Sequence, residues 1–528
     1  EDTNMKNVFS EKVWQADLEN GYYKNPVLYA DYADPDVIRV DDDFYLVASS
    51  FNYMPGLPVL HSKDLVNWKV ISYVVDRLPF PNYDKPEYGK GVWAPSIRFH
   101  DNKFWVFFAT PDEGIFMSTT TDPHKGWEPL THVKKTKGWI DPCPFWDDDG
   151  NAYLVSAFAK SRIGFKSILH LSRMKPDGTE LLDEGVHIFD GNLYHPTIEG
   201  PKMYKRNGYY YIFAPAGGVK PGWQTVLRSR NIYGPYEDRI VMHQGKTDVN
   251  GPHQGGWVDT KSGEHWFMHF QDRDAYGRIV HLQPMVWIND WPVIGKDTEN
   301  SGTGEPVDIC RKPDVGGVFP VRTPDTSDDF NSNTLGLQWQ WNANPNEKWY
   351  SLNERKGFIR LYNLNNSNET GLLYYAPNIL TQLFQAPEFD AAAKLEFSPG
   401  EIGDKAGIVI LGDEYVYLAI EKTSEGNRIV CCHGSPDGCG YTEKLVESHP
   451  AEADEVIFRV DVRKEAVCSF SFSFDGETFR KTGDLFTATA GKWVGAKLGI
   501  FAMNPGTDST GFADFDWVAV NKPEDAEK

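Results

Sequence analysis

The sequence predicts an all-β chain in which a five-bladed β-propeller, residues 25–295, precedes a β-sandwich of the jelly-roll or concanavalin-like kind, residues 326–528. Three observations predict it. A short strand-and-turn motif recurs five times before residue 295. An aromatic and β-branched run follows each copy at a similar offset. The pattern then stops at a stretch rich in Gly, Pro, Asp and Thr, beyond which a different set of alternating runs begins.

The five copies centre on Asp34-Pro35-Asp36, Trp93-Ala94-Pro95, Asp141-Pro142-Cys143, Glu199-Gly200-Pro201 and His253-Gln254-Gly255. About ten residues after each comes a strand such as Phe44-Tyr45-Leu46-Val47 or Tyr209-Tyr210-Tyr211-Ile212, reached through a polar turn of the hairpin type. A second motif closes three of the units: Ser62-Lys63-Asp64-Leu65-Val66-Asn67-Trp68, Thr121-Asp122-Pro123 and Ser229-Arg230-Asn231. Units of about 50–60 residues holding several strands are the signature of propeller blades, and irregular spacing argues against a solenoid. An N-terminal segment, 1–24, precedes the blades, and 296–325 reads as a linker. The alternating runs after it, 392–397, 406–411, 416–420, 456–462, 468–474, 496–501 and 512–520, suit an antiparallel sandwich.

Composition narrows the function. The net charge of −22, from 53 basic and 75 acidic residues, repels phosphate backbones and argues against nucleic acid. No apolar run is long enough for a membrane span. The opening Glu-Asp-Thr-Asn lacks a charged-then-apolar leader and is compatible with a mature product. Trp, Tyr and Phe number 17, 25 and 31; most belong to strands and core, although such rings also stack on sugars. The six cysteines, Cys143, Cys310, Cys431, Cys432, Cys439 and Cys468, form no zinc pattern; one disulfide within the 431–439 cluster is open.

The chemistry lies in the first position of each repeat. In a propeller the first strand of each blade flanks the axis, so equivalent residues converge on one mouth. That position carries Asp34, Ala94, Asp141, Glu199 (shifted by one) and Gly255, with His253 two residues before it. An Asp before Pro is individually a common turn starter. Three acids at equivalent places raise one another's pKa, which costs stability unless they serve chemistry or a cation. Calcium accepts carboxylates, but its loops gather acids close in sequence. Two carboxyls facing each other across a pocket suit glycoside hydrolysis, one as proton donor and one activating water, and a third can hold up the donor's pKa.

These motifs, with Asn25-Pro26, Trp139-Ile140-Asp141-Pro142, Ile198-Glu199-Gly200-Pro201 and Arg278 ahead of Trp291-Pro292, resemble glycoside hydrolase family 43, and the C-terminal part resembles the sandwich of its β-xylosidases and α-L-arabinofuranosidases. The resemblance implies an inverting hydrolase with Asp34 as general base, Glu199 as general acid and Asp141 as the acid that modulates and orients it. It also implies Arg278, Trp93 and Phe51 as sugar contacts, and His253 as a pocket residue near the axis. The expected activity is exo-acting release of α-L-arabinofuranosyl or β-D-xylosyl residues from plant hemicellulose such as xylan, arabinoxylan or xyloglucan, by a secreted or periplasmic enzyme requiring no cofactor. An endo-arabinanase and a non-catalytic sugar-binding propeller are the alternatives. The Asn-Asp-Pro motif of the invertase-like propellers is absent. From the sandwich, the loop 504–510 is the expected visitor to the pocket rim. Asp328, Asp329, Asp514 and Asp516 could bind a structural Ca²⁺, with solvent-facing acids as the favoured alternative.

Overall fold

The computed structural model describes residues 12–524. Five antiparallel four-stranded meanders make the blades. Blade I comprises Asp36–Val40, Asp43–Val47, Gly56–Ser62 and Trp68–Val75. Blade II comprises Trp93–His100, Lys103–Thr110, Gly114–Thr120 and Thr131–Lys135. Blade III comprises Trp139–Trp146, Ala152–Phe158, Ile168–Met174 and Val186–Asp190. Blade IV comprises Lys202–Arg206, Tyr209–Ala216, Trp223–Ser229 and Glu237–Met242. Blade V comprises His253–Asp259, His265–Asp272, Arg278–Ile288 and Trp291–Ile294.

Each blade is buried on both faces, so its second strand is apolar nearly throughout instead of alternating. Every gap between neighbouring blades has its own apolar cluster. Val37, Leu46 and Met268 fill the gap between blades V and I; Val59, Ile97 and Phe108 fill that between I and II. Phe107, Ile115 and Leu154, then Val155, Leu171 and Ile212, then Phe213, Val226 and Phe267 fill the other three. The first strands meet around the axis. Gly256 shows how tightly: a Cβ there would lie 2.6 Å from Asp36 Oδ1 and 3.1 Å from the Val37 amide of blade I.

The ring closes through the segment before blade I. Leu28 and Val280 exchange backbone hydrogen bonds. The Asn25 side chain accepts from the Leu282 amide at 2.8 Å and donates to the Leu282 carbonyl at 2.8 Å, where the Tyr23 hydroxyl also donates at 2.7 Å. Tyr22–Lys24 pairs with Ile309–Arg311, so the stretch after blade V is partly sheet and packs back on the N-terminal segment.

The C-terminal domain is a sandwich of two seven-stranded sheets enclosing one large apolar core. Its strands include Gly426–Pro436, Tyr441–Pro450 and Arg480–Thr487, which the sequence reading did not single out because their alternation is broken by charged and Gly residues. The cysteines are all unpaired, including the three weighed for a disulfide. Cys431 and Cys432 are consecutive on one strand and so face opposite sides of the sheet, one in each apolar cluster, while Cys439 is exposed beyond the strand's end. The four acids weighed for calcium are not gathered as a ligand set. Asp514 is paired with Arg360 and Arg355, and Asp328 accepts from the Trp339 indole and the Phe330 amide. Among the described residues no group of three or more His, Cys, Asp or Glu could hold a metal, and no helix is long and apolar enough to cross a membrane.

The two domains are joined by backbone bonds as well as side chains. Met54 and Trp341 exchange a bonded pair, Asn344 donates its amide to Tyr83, and its side chain clamps both backbone groups of Leu78. Asn25→Ala removes the side-chain part of the closure and strands the Leu282 amide, at about 1–3 kcal/mol for such a group, while the Leu282 carbonyl keeps the Tyr23 hydroxyl. We expect a clear fall in the unfolding midpoint, measured by circular dichroism; an unchanged midpoint would show that the latch does not hold the ring.

Candidate active site

The innermost strand of several blades begins with a left-handed residue. Asp34, Asp141, Gly200 and Gln254 have φ of 52°, 55°, 58° and 44°. Register shifts at Ile140/Cys143 and His253/Gly255 mark the same feature as a bulge. A non-glycine residue held there costs about 1–3 kcal/mol, which the surrounding ladder must over-determine; Asp is among the residues that tolerate it best. This geometry corrects one detail of the sequence register and gives the reason for another. The equivalent residue in blade V is Gln254, not Gly255. In blade IV it is Gly200, so Glu199 is offset by one because its neighbour takes the turn.

The three acids are brought together. The Asp34 carboxylate accepts from Arg278 Nη1 at 2.8 Å and from Ser49 Oγ at 2.6 Å. The Gly200 amide, next to Glu199, donates to Asp141 Oδ2 at 2.9 Å. His253 Nε2 lies 3.2 Å from Glu199 Oε1. Burial pushes Asp141 up to about 8, reinforced by the charges of Glu199 and Asp34 and opposed by the Gly200 amide and Lys202. Arg278 is held protonated more firmly than in water: burial works against its charge, but Asp34, Asp272, Asp31 and Glu199 outweigh it. The solution to crowding three carboxyls is therefore one ion pair on Asp34, one proton held by the coupled acid cluster around the buried Asp141, and partial solvent access at Glu199, whose side chain is 23% exposed against 5% for Asp34.

The other expected residues fall around this centre. Trp93 is half-buried, its indole donating to the Gly89 carbonyl and its ring covered by Arg162 at 5.3 Å. Phe51 packs 6.1 Å from Trp93 and is buried with Ala33, Tyr53 and Val494, as a wall behind the pocket. His253 is fully buried behind Glu199.

Several participants escaped the sequence reading. Lys202, fully buried, donates to the Pro95 carbonyl and to Ser96 Oγ across the axis and is the cation nearest Asp141 in its electrostatics. Ser49 sits just past the second strand of blade I and carries no motif. From the sandwich, the loop 504–510 stays inside its own domain, its Asn504 and Ser509 side chains donating to Asp404. The loop that reaches the pocket is instead 491–496: Val494 joins the Phe51 cluster, and the half-exposed Trp493 ring lies 5.7 Å from the Arg278 guanidinium. The signal was a tryptophan between Gly491 and Gly495 in a turn, a large apolar side chain with no core face to occupy.

Comparison with known proteins agrees with this arrangement. Residues 23–292 match the family described as Glycosyl hydrolases family 43, and residues 327–521 match the Beta xylosidase C-terminal Concanavalin A-like domain. A β-xylosidase of Formosa agariphila is 33% identical, covering 96% of this chain and 91% of its own. A non-reducing end α-L-arabinofuranosidase of Bacteroides ovatus is 29% identical, covering 96% of both chains. The crystal structure of the GH43 BlXynB protein from Bacillus licheniformis superposes with a TM-score of 0.82 at 28% identity, covering 95% of this chain and 100% of that one.

The raised pKa makes a prediction. The free protein holds a proton on the buried acid cluster below about pH 8 and loses it above. The alkaline limb of kcat/KM, which reports the free enzyme, should fall near that pH, and Asp141→Asn should displace it. A limb that keeps its midpoint in Asp141→Asn would remove Asp141 from the titrating cluster.

Proposed function

Because this chain belongs to glycosyl hydrolase family 43, we propose that it is an inverting exo-hydrolase whose first substrate is a terminal β-D-xylosyl residue of xylan-type oligosaccharides, with α-L-arabinofuranosyl residues as the second. The observation that carries the reading is the division of labour among three carboxyls in one pocket. Asp34, fixed by Arg278 and Ser49, is the acid with a cationic partner and serves as the ionised base that takes a proton from water. Glu199 is the most open of the three and serves as the acid, giving its proton to the glycosidic oxygen. Asp141, whose own pKa is raised by the neighbouring charge of Glu199, fixes the Gly200 backbone beside that residue and so orients the donor.

Xylose is placed first because the C-terminal match is to a β-xylosidase domain and the 33% identical relative bears the same name; the arabinofuranosidase relative supports the second sugar. Exo action is supported by the sandwich loop beside the acids: Trp493 lies 5.7 Å from the Arg278 guanidinium and Val494 packs with Phe51, so the second domain stands next to the site instead of leaving it flanked by the propeller alone.

General acid catalysis contributes about 10²–10⁴-fold. Glu199→Gln should therefore lose rate on that scale with xylobiose, where the leaving alcohol needs the proton, and far less with aryl xylosides carrying strongly acidic phenols. Equal losses on both would take the acid role from Glu199. On matched 4-nitrophenyl substrates the β-D-xyloside should have the higher kcat/KM; the reverse order would exchange the two sugars.

A further inference from the structure

Asp31 is buried, three residues before Asp34, and its carboxylate is divided between the domains. Oδ1 accepts from the backbone amide of Arg278 at 2.8 Å, and Oδ2 accepts from the backbone amide of Gly495 in the sandwich at 2.8 Å. The Ala496 amide donates to the Ala275 carbonyl at 2.7 Å, so of two consecutive sandwich amides one holds Asp31 and the other holds the turn that leads into Arg278. There is no slack in this junction. A Cβ at Gly277 would lie 2.3 Å from Asp31 Cγ, and one at Gly495 would lie 2.7 Å from the Gly277 amide and 2.9 Å from the Ala275 carbonyl. Lys497, also buried, sets its ammonium 4.5 Å over the Tyr53 ring and faces Asp31 electrostatically.

A buried Asp accepting two amides is most simply a structural tie. What distinguishes this one is which amides it holds. Arg278 is the cation paired with Asp34, and its side chain starts from the atom next to the bonded nitrogen. We propose that Asp31 is a positioning residue for the base, acting through Arg278, and that the docked sandwich completes the positioning through Gly495. The C-terminal domain thereby helps seat the guanidinium that pairs with the Asp34 carboxylate in the propeller. The inference rests on the assignment of Asp34 as base.

The test follows the acid limb of kcat/KM on 4-nitrophenyl β-D-xyloside, with thermal unfolding as a control, in the full chain, Asp31→Asn, Gly495→Ala and the double variant. The groups facing this centre are Asp34, Asp272, Asp31 and Glu199 around Arg278, Asp141 beside Asp34, and Lys497 beside Asp31. Removing the charge of Asp31 alone would move the limb down in pH. Displacing Arg278 weakens the ion pair on Asp34 and moves it up. Gly495→Ala changes no charge and forces the junction apart. We expect an upward shift of the limb in Gly495→Ala, a limb in Asp31→Asn that does not move down because displacement of Arg278 opposes the lost charge, a loss of about 10-fold or more in each, as misplacement near a reacting centre produces, and a double variant no worse than the poorer single one, because both break the same contact. A Gly495→Ala enzyme whose limb coincides with the unsubstituted one, or multiplicative losses in the double variant, would overturn the proposal. If either single variant fails to fold, the limb of the other decides. Full activity in both variants sinks only this inference, whereas an unsubstituted chain that hydrolyses no xyloside sinks the functional reading beneath it.

Discussion

Three carboxyl groups cannot all stay ionised in one buried cavity, and the propeller is organised around that constraint. Each acid answers it differently. Asp34 takes a guanidinium and a hydroxyl, Asp141 takes the Gly200 amide and a pKa raised by burial and its neighbours' charge, and Glu199 keeps contact with solvent and a histidine. The differences in surroundings are what give chemically similar side chains separate tasks. Pulling one partner away would redistribute proton and charge over all three.

The fold supplies this arrangement through strain as well as packing. Left-handed residues at the head of the inner strands turn two Asp side chains toward the axis, and the apolar clusters between blades hold those turns in place. Closure by residues before blade I matters for the same reason. Arg278 begins the strand that this segment grips, so the latch that completes the ring also seats the cation of the site. The sandwich adds a third support from outside, at Gly495 and Val494.

Much of this was legible in the residues. Blade number followed from the fivefold motif, and Asp34, Asp141 and Glu199 stood out because repetition makes an acid at an equivalent position visible where a lone acid is not. What stayed hidden were contacts between parts remote in sequence. Lys202 acts across blades, on Pro95 and Ser96 of blade II, and Ser49 reaches Asp34 from beyond the second strand of blade I. Asp31 looks like one more acid in Ala-Asp-Tyr-Ala-Asp until its oxygens are seen to reach two domains. The rim loop was misplaced to 504–510 because Asn, Pro, Gly and Asp mark any exposed turn, while Asn504 was already committed to Asp404 within the sandwich. Acid density alone points to calcium, whereas the arginines that pair with Asp514 come from positions distant in sequence.

The most direct measurement is a crystal structure of Glu199→Gln with intact xylobiose bound. The terminal sugar is expected among the three carboxyl positions, with Asp34 and residue 199 on opposite faces of its anomeric carbon and a water held by Asp34. A sugar bound elsewhere on the disc, or both side chains on the same face of the anomeric carbon, would contradict it.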